Sequence, residues 1–193
     1  LLSRLNYAVP RMHLESLKSF AQVGLTYDRD MLRYRNLDLD EPFPYIKYIV
    51  DFCLPGVAKS FGWLNYDYKI TDTDNLQEFG DVKLLFVPCS EFMSEDTQEK
   101  LINCIKSGQN IVFVGLVPKY SEIFRSSQTL SKSLGLSTRP DWNFGKVQVG
   151  SSSYDTQFFG AISKRNSAWR IFAKSGNKIV GAYRKLGKGT CYF

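Results

Sequence analysis

Cys89 is the residue whose type and position most suggest chemistry. It sits in the run LLFVPCSEFMS, residues 84–94, where an apolar strand gives way to Ser90 and Glu91. Many α/β enzymes keep a nucleophile just past a buried strand. A thiol acts only as its thiolate, and that needs a base, normally a histidine oriented by a third group. The chain has one histidine, His13, in an N-terminal segment that reads as a helix outside the strands. Without a base, Cys89 reads as a small hydrophobe filling a strand end. No catalytic residue is assigned.

Other chemistries fail on residue type. Glycoside hydrolysis needs two carboxylates held across a sugar. Asp28, Asp30, Glu91 and Glu95 could share one rim, but acidic residues on strand-end loops are ordinarily solvated turn formers. A phosphate cradle needs backbone N–H groups from a Gly- or Ser-rich loop. The loop after the first strand is YDRD, whose carboxylates repel phosphate, which disfavours FMN. No G-x-G-x-x-G follows that strand, so a dinucleotide is not expected. Cys53, Cys89, Cys104 and Cys191 form no CxxC pair and have no histidine at ligand spacing, so no metal is assigned. No cofactor is expected.

The elements that must position these residues read as alternating strands and helices. QVGLTY (22–27) is a first buried strand, and residues 28–30 are a polar loop. Residues 44–64 are helical, with Pro55-Gly56 predicting a kink or two short helices. YDYKIT is a strand, and TDTDNLQEF supplies turn chemistry. KLLFVP is a continuous apolar strand of the kind buried on both faces of a parallel sheet. Ser94 caps the next helix, Glu95 and Asp96 fill its first turn, Lys106 its last, and Gly108 stops it. NIVFVG is another buried strand, and a weaker helix covers residues 121–134. After Pro140 the pieces KVQV, TQFFG, WRIFA, KIVGAYR and GTCYF suit an antiparallel extension, with KLGKG as a hairpin turn. The expected fold is α/β: a flavodoxin-like doubly wound, mostly parallel sheet with an antiparallel β extension at the C-terminal end. Its rim, at the carboxyl ends of the strands, would hold Asp28, Arg29, Cys89, Ser90, Glu91 and Lys119.

A chain of 193 residues with 44% hydrophobic and 23% charged residues can bury a real core. The net charge of +6 is spread without a block of like charges, so a solvated basic surface is expected and nucleic acid is not. Apolar runs are too short to span a bilayer. The compartment stays open, the cytoplasm being favoured. Aromatics at Tyr45, Tyr48, Phe61 and Trp63 serve either a core or an interface. The chain starts without Met and stops at GTCYF, which reads as part of a longer polypeptide.

The run DNLQEFGDVKLLFVPCSEFMSEDTQEKLINCIKSGQNIVFVG joins a Leu…aromatic turn, Lys-apolar-Pro, Ser-acid-acid opening a helix, and two glycine stops. It resembles the class I glutamine amidotransferase-like domain of beta-galactosidases of the family 42 and 35 type, called there the trimerisation domain. QVGLTYD, YDYKIT and KIVGAYRKLGKGTCYF extend the likeness over about two-thirds of the chain. The resemblance implies amidotransferase chemistry that has been lost. That nucleophilic cysteine would follow NIVFVG, where Leu116 stands, and the downstream His-x-Glu is missing. It also implies a TIM-barrel catalytic domain upstream in cis, which takes about 250 residues, and a homo-oligomer. Residues 1–20 would then be a linker helix from that barrel, and residues 21–193 the domain itself, with 141–193 its β-rich part. The leading expectation is a non-catalytic accessory or oligomerisation domain of a beta-galactosidase-like glycoside hydrolase. The alternatives are a free-standing small-ligand or partner-binding module and a cysteine-dependent enzyme.

Overall fold

The structure, a computed structural model, describes residues 21–35, 45–141, 145–156 and 159–193. The expected linker helix of residues 1–20 lies outside them. The first half alternates strand and helix. β1 (Val23–Tyr27) leads to α1 (Arg29–Arg35), and α2 (Tyr45–Tyr48) to α3 (Leu54–Trp63). β2 (Tyr68–Asp72), β3 (Leu84–Cys89), α4 (Glu95–Ser107) and β4 (Asn110–Gly115) follow.

β1 pairs in parallel with both β2 and β3, and β3 with β4. Register fixes the faces. Leu85, Val87, Ile111 and Phe113 point to the side covered by Leu101 and Ile105 of α4. Leu25 and Phe86 point to the other side, against Phe61 of α3. Apolar burial on both faces explains why KLLFVP carries no alternation.

α4 starts and stops where its signals lie. Ser94 Oγ accepts the Thr97 N–H at 3.1 Å, and Gly108 caps the end at φ +131°. Between α2 and α3 the expected break is instead a π-helical turn, Ile49–Cys53, so the helix runs on to Trp63. Pro55 has no N–H to give to the preceding turn, which favours such a local widening. Two further readings are corrected. Residues 29–30 are not loop but open α1. The helix expected at 121–134 is only α5 (Thr129–Leu134).

The second half is β-rich. β5 (Leu136–Asp141) pairs antiparallel with β8 (Phe159–Arg165) as a separate ribbon. β6 (Gly145–Val149), β7 (Ser152–Thr156), β9 (Arg170–Ser175) and β10 (Lys178–Leu186) extend the main sheet antiparallel. β11 (Gly189–Tyr192) departs from the expected extension. It turns back from β10 by the KLGKG hairpin and lies parallel to β4. The nine-stranded order is β2-β1-β3-β4-β11-β10-β9-β6-β7. The chain is thus mixed α/β, with a parallel part and an antiparallel part in one sheet.

Candidate functional site

The strand order changes direction at β1, which pairs with β2 on one side and β3 on the other. Ligands of open α/β sheets bind beside such a point, at the strands' carboxyl ends. There the structure brings Asp28 and Cys89 near each other, because parallel pairing puts the ends of β1 and β3 side by side.

Asp28 is buried and caps α1. Its Oδ1 accepts the N–H groups of Asp30 at 2.8 Å and Met31 at 3.4 Å. Burial pushes its carboxyl up to about 6, against the pull of those two N–H bonds. Cys89 is fully buried, with Sγ 3.3 Å from the Val87 carbonyl oxygen. Burial, then the Asp28 charge, drives its thiol well above its ordinary 9.0. Asp28 is therefore a poor base for it, since burial holds the thiol's proton while the carboxyl gives up its own far more readily. Among the described residues no histidine offers another route. The thiol is held unreactive.

The remaining rim residues serve the fold. Ser90 is buried and its Oγ accepts the Phe92 N–H at 3.2 Å, closing the turn after β3. The Glu91 carbonyl accepts the N–H groups of Lys119 at 2.8 Å and Tyr120 at 3.0 Å. Burial raises the Glu91 carboxyl, opposed by Lys119, and its Oε2 has no hydrogen-bond partner among the described residues. Arg29 pairs with the carboxyl end of β2. It donates to Asp72 Oδ2 at 2.7 Å and lies 3.5 Å from Asp74. Asp72 also accepts from the Asp74 and Asn75 backbone at 3.1 and 3.2 Å and from Asn75 Nδ2 at 2.8 Å. This buried carboxylate ties the ends of β1 and β2 to the turn that follows. Asp72→Ala is expected to lower stability by about 2 kcal/mol in urea unfolding, since several donors lose one shared acceptor.

The aromatic candidates divide. Phe61 is buried beside Val23 and Leu25. Tyr48 is half-buried and stacks on Phe52 with centroids 5.2 Å apart. Trp63 is 73% exposed. Tyr45 opens α2, and its side chain lies outside the described ones. The sequence reading missed the exposed apolar residues that follow Trp63 in the chain: Leu64, Tyr66, Tyr68 and Ile70. Alternation of YDYKIT was the available signal, but it marks β2 as half-buried without saying which face lacks a cover. Among the described residues, no group of three or more His, Cys, Asp or Glu could hold a metal ion, and no helix is long and apolar enough to cross a membrane.

A family model described as GLMA-like, second domain, matches residues 49–163, more than half of the chain. The chain is 26% identical over 171 residues to a beta-1,2-glucosyltransferase of Ignavibacterium album, covering 82% of the chain and 23% of that protein. It is 25% identical over 143 residues to an exo-beta-D-glucosaminidase of Pyrococcus horikoshii, covering 70% of the chain and 18% of that protein. It thus spans less than a quarter of either relative. In structure it matches a catalytic mutant of Gan42B, a GH42 beta-galactosidase from G. stearothermophilus, with a TM-score of 0.73 at 17% identity. That match covers 91% of the chain and 27% of the beta-galactosidase, and at that identity the likeness is one of fold.

Proposed function

Since the chain belongs to the family of GLMA-like second domains, we propose that it serves as a non-catalytic accessory domain of a larger glycoside-processing enzyme. The observation that carries this reading is the state of the strand-end crevice. Its one thiol is buried and held protonated, its acids are buried, and its arginine is committed to Asp72. The chemistry would then belong to a catalytic barrel elsewhere in the same polypeptide. The domain's finer type would be flavodoxin-like and doubly wound, related to amidotransferases. The parallel run β2-β1-β3-β4-β11 supports this, since it follows the order expected of such folds.

The role left to such a domain is packing, and the surface around Trp63 suits it. β2 ends the sheet among the described residues, Tyr68 and Ile70 stand exposed on it, and Trp63, Leu64 and Tyr66, just before it in the chain, are exposed too. Several large apolar side chains exposed at and just before an edge strand favour an interaction surface. We infer that it joins copies of the parent enzyme. The test uses the full-length protein and aryl glycosides. Cys89→Ala should leave turnover within about twofold, because a buried thiol takes no part. The pair Trp63→Asp and Ile70→Glu should lower the assembly mass in analytical ultracentrifugation. Loss of turnover in Cys89→Ala with the fold intact would overturn the non-catalytic reading, and an unchanged mass the assembly role.

A further inference from the structure

A cavity of about 760 Å³ opens beside the crevice, between the loop after β4, α5, the start of β5 and the end of β8. Its size lies within the range of small-molecule sites, about 300–1,000 Å³. Val117, Pro118 and Leu136 give it an apolar floor. Lys119, Lys132 and Arg165 bring three positive charges to its lining, and among the described residues no aspartate or glutamate lines it. None of the three forms an ion pair among the described residues. Glu91, whose charge acts on Lys119, stands outside the lining.

The walls are tied in place. Gln98 is fully buried behind them. Its Nε2 donates to the Met93 carbonyl at 2.8 Å and to Ser127 Oγ at 3.1 Å, and its Oε1 accepts the Leu130 N–H at 2.9 Å. The Ser127 N–H donates to the Lys119 carbonyl at 2.8 Å. One amide therefore pins α5 to the loop that carries Lys119. On the far wall the Asn166 N–H donates to the Gly135 carbonyl at 2.9 Å, and Arg165 Nη1 to the Trp169 carbonyl at 3.2 Å. A guanidinium has five donors, so Arg165 keeps several for a ligand. A site whose polar groups are fixed beforehand loses less freedom on binding.

The geometry points to a binding site for an anionic, polyhydroxylated small molecule: a sugar ring carrying one phosphate or carboxylate. Lys132 and Arg165 meet no acidic partner among the described residues, and with Lys119, which also faces Glu91, they select negative charge, as charge-assisted hydrogen bonds are the strong ones. Ser131, Ser137 and Asn166 supply neutral donors and acceptors for hydroxyls. The apolar floor takes the carbon face of the ring. A bare anion would leave that floor unused, and a neutral sugar would leave the cations unused. The inference stands on the cavity and does not rest on the accessory-domain reading.

Isothermal titration of the full-length protein with glucose 6-phosphate, glucuronate, glucose and inorganic phosphate tests it. At least one charged sugar should bind with a Kd below about 1 mM, and about tenfold more tightly than glucose or phosphate. Whichever charged sugar binds better assigns the anionic group. The pair Lys132→Glu and Arg165→Glu should weaken that binding about tenfold or more, and Lys146→Glu, outside the lining, should not. Circular dichroism checks that the pair folds, and exposed Lys132→Gln repeats the test with less disturbance. Glucose binding as tightly as both charged sugars would overturn the site. So would phosphate alone matching them, or binding that survives all the cavity variants.

Discussion

Asp28→Asn should stabilise the protein by about 3 kcal/mol at pH 8 and by almost nothing at pH 4. The native carboxyl titrates near 6, above its ordinary 3.8, because burial disfavours the charged form. The neighbouring charges of Asp30 and Asp74 add to this, and the N–H bonds from Asp30 and Met31 oppose it. A group whose pKa is raised on folding gives its full stabilising share below the unfolded pKa. That share is lost as pH rises through the folded value. The window is therefore from about 4 to about 6. Each pH unit between the two values corresponds to roughly 1.4 kcal/mol. Asparagine keeps an oxygen to accept from Asp30 and Met31, so the cap survives while the buried charge is removed. Urea unfolding at pH 4, 5, 6, 7 and 8, compared between parent and variant, isolates Asp28 from Glu91, which titrates in both. Identical pH profiles would mean that Asp28 is not a buried charge. The same result bears on function. A carboxylate kept at this cost beside a thiol would be worth retaining if it could activate it, yet burial and the Asp28 charge both push the thiol away from ionising.

What the sequence made legible were features whose causes are local. The cap at Ser94, the acids after it and the stop at Gly108 all concern neighbouring backbone groups, and α4 begins and ends with them. The KLGKG hairpin is likewise local. α1 escaped notice because only Met31 of its seven residues is buried, which leaves no periodic stripe to read. β7 escaped because it lies at the far end of the sheet, where its first four residues are exposed and, among the described residues, it pairs with β6 alone. β11 was read as a strand but misplaced. Its parallel pairing of Cys191 with Ile111 joins residues far apart in sequence, and no local rule fixes that choice. The site follows the same division. Cys89 at a strand end was visible, but its nearness to Asp28 depends on how β1 and β3 pair. The cavity was invisible because Lys119, Lys132 and Arg165 form no motif and meet only through α5 and the β5–β8 ribbon.

Gly115→Ala should destabilise the protein by about 3 kcal/mol or more, and the reason explains why this corner holds no nucleophile. Gly115 has φ +112°, a conformation that side chains disfavour by about 1–3 kcal/mol. A Cβ there would lie 2.6 Å from Ile49 Cδ1 and would press on the carbonyl oxygen of Cys89. Overpacking of that kind costs a further 1–3 kcal/mol or so. The control is Gly176→Ala, at φ +56° with open space around it, which should cost only about 1 kcal/mol. Urea midpoints should fall in that proportion with unchanged slopes. The close approach has a partner bond, from the Leu116 N–H to the Cys89 carbonyl at 2.9 Å. β3 and β4 are thereby held tightly together at their carboxyl ends. Leu116, the next residue, is buried in an apolar cluster with Ile49, Val50 and Phe92. A chain that tolerates a Cβ at Gly115 with a loss under about 1 kcal/mol would have a looser corner than this, and the closed-site account of Cys89 would fall with it.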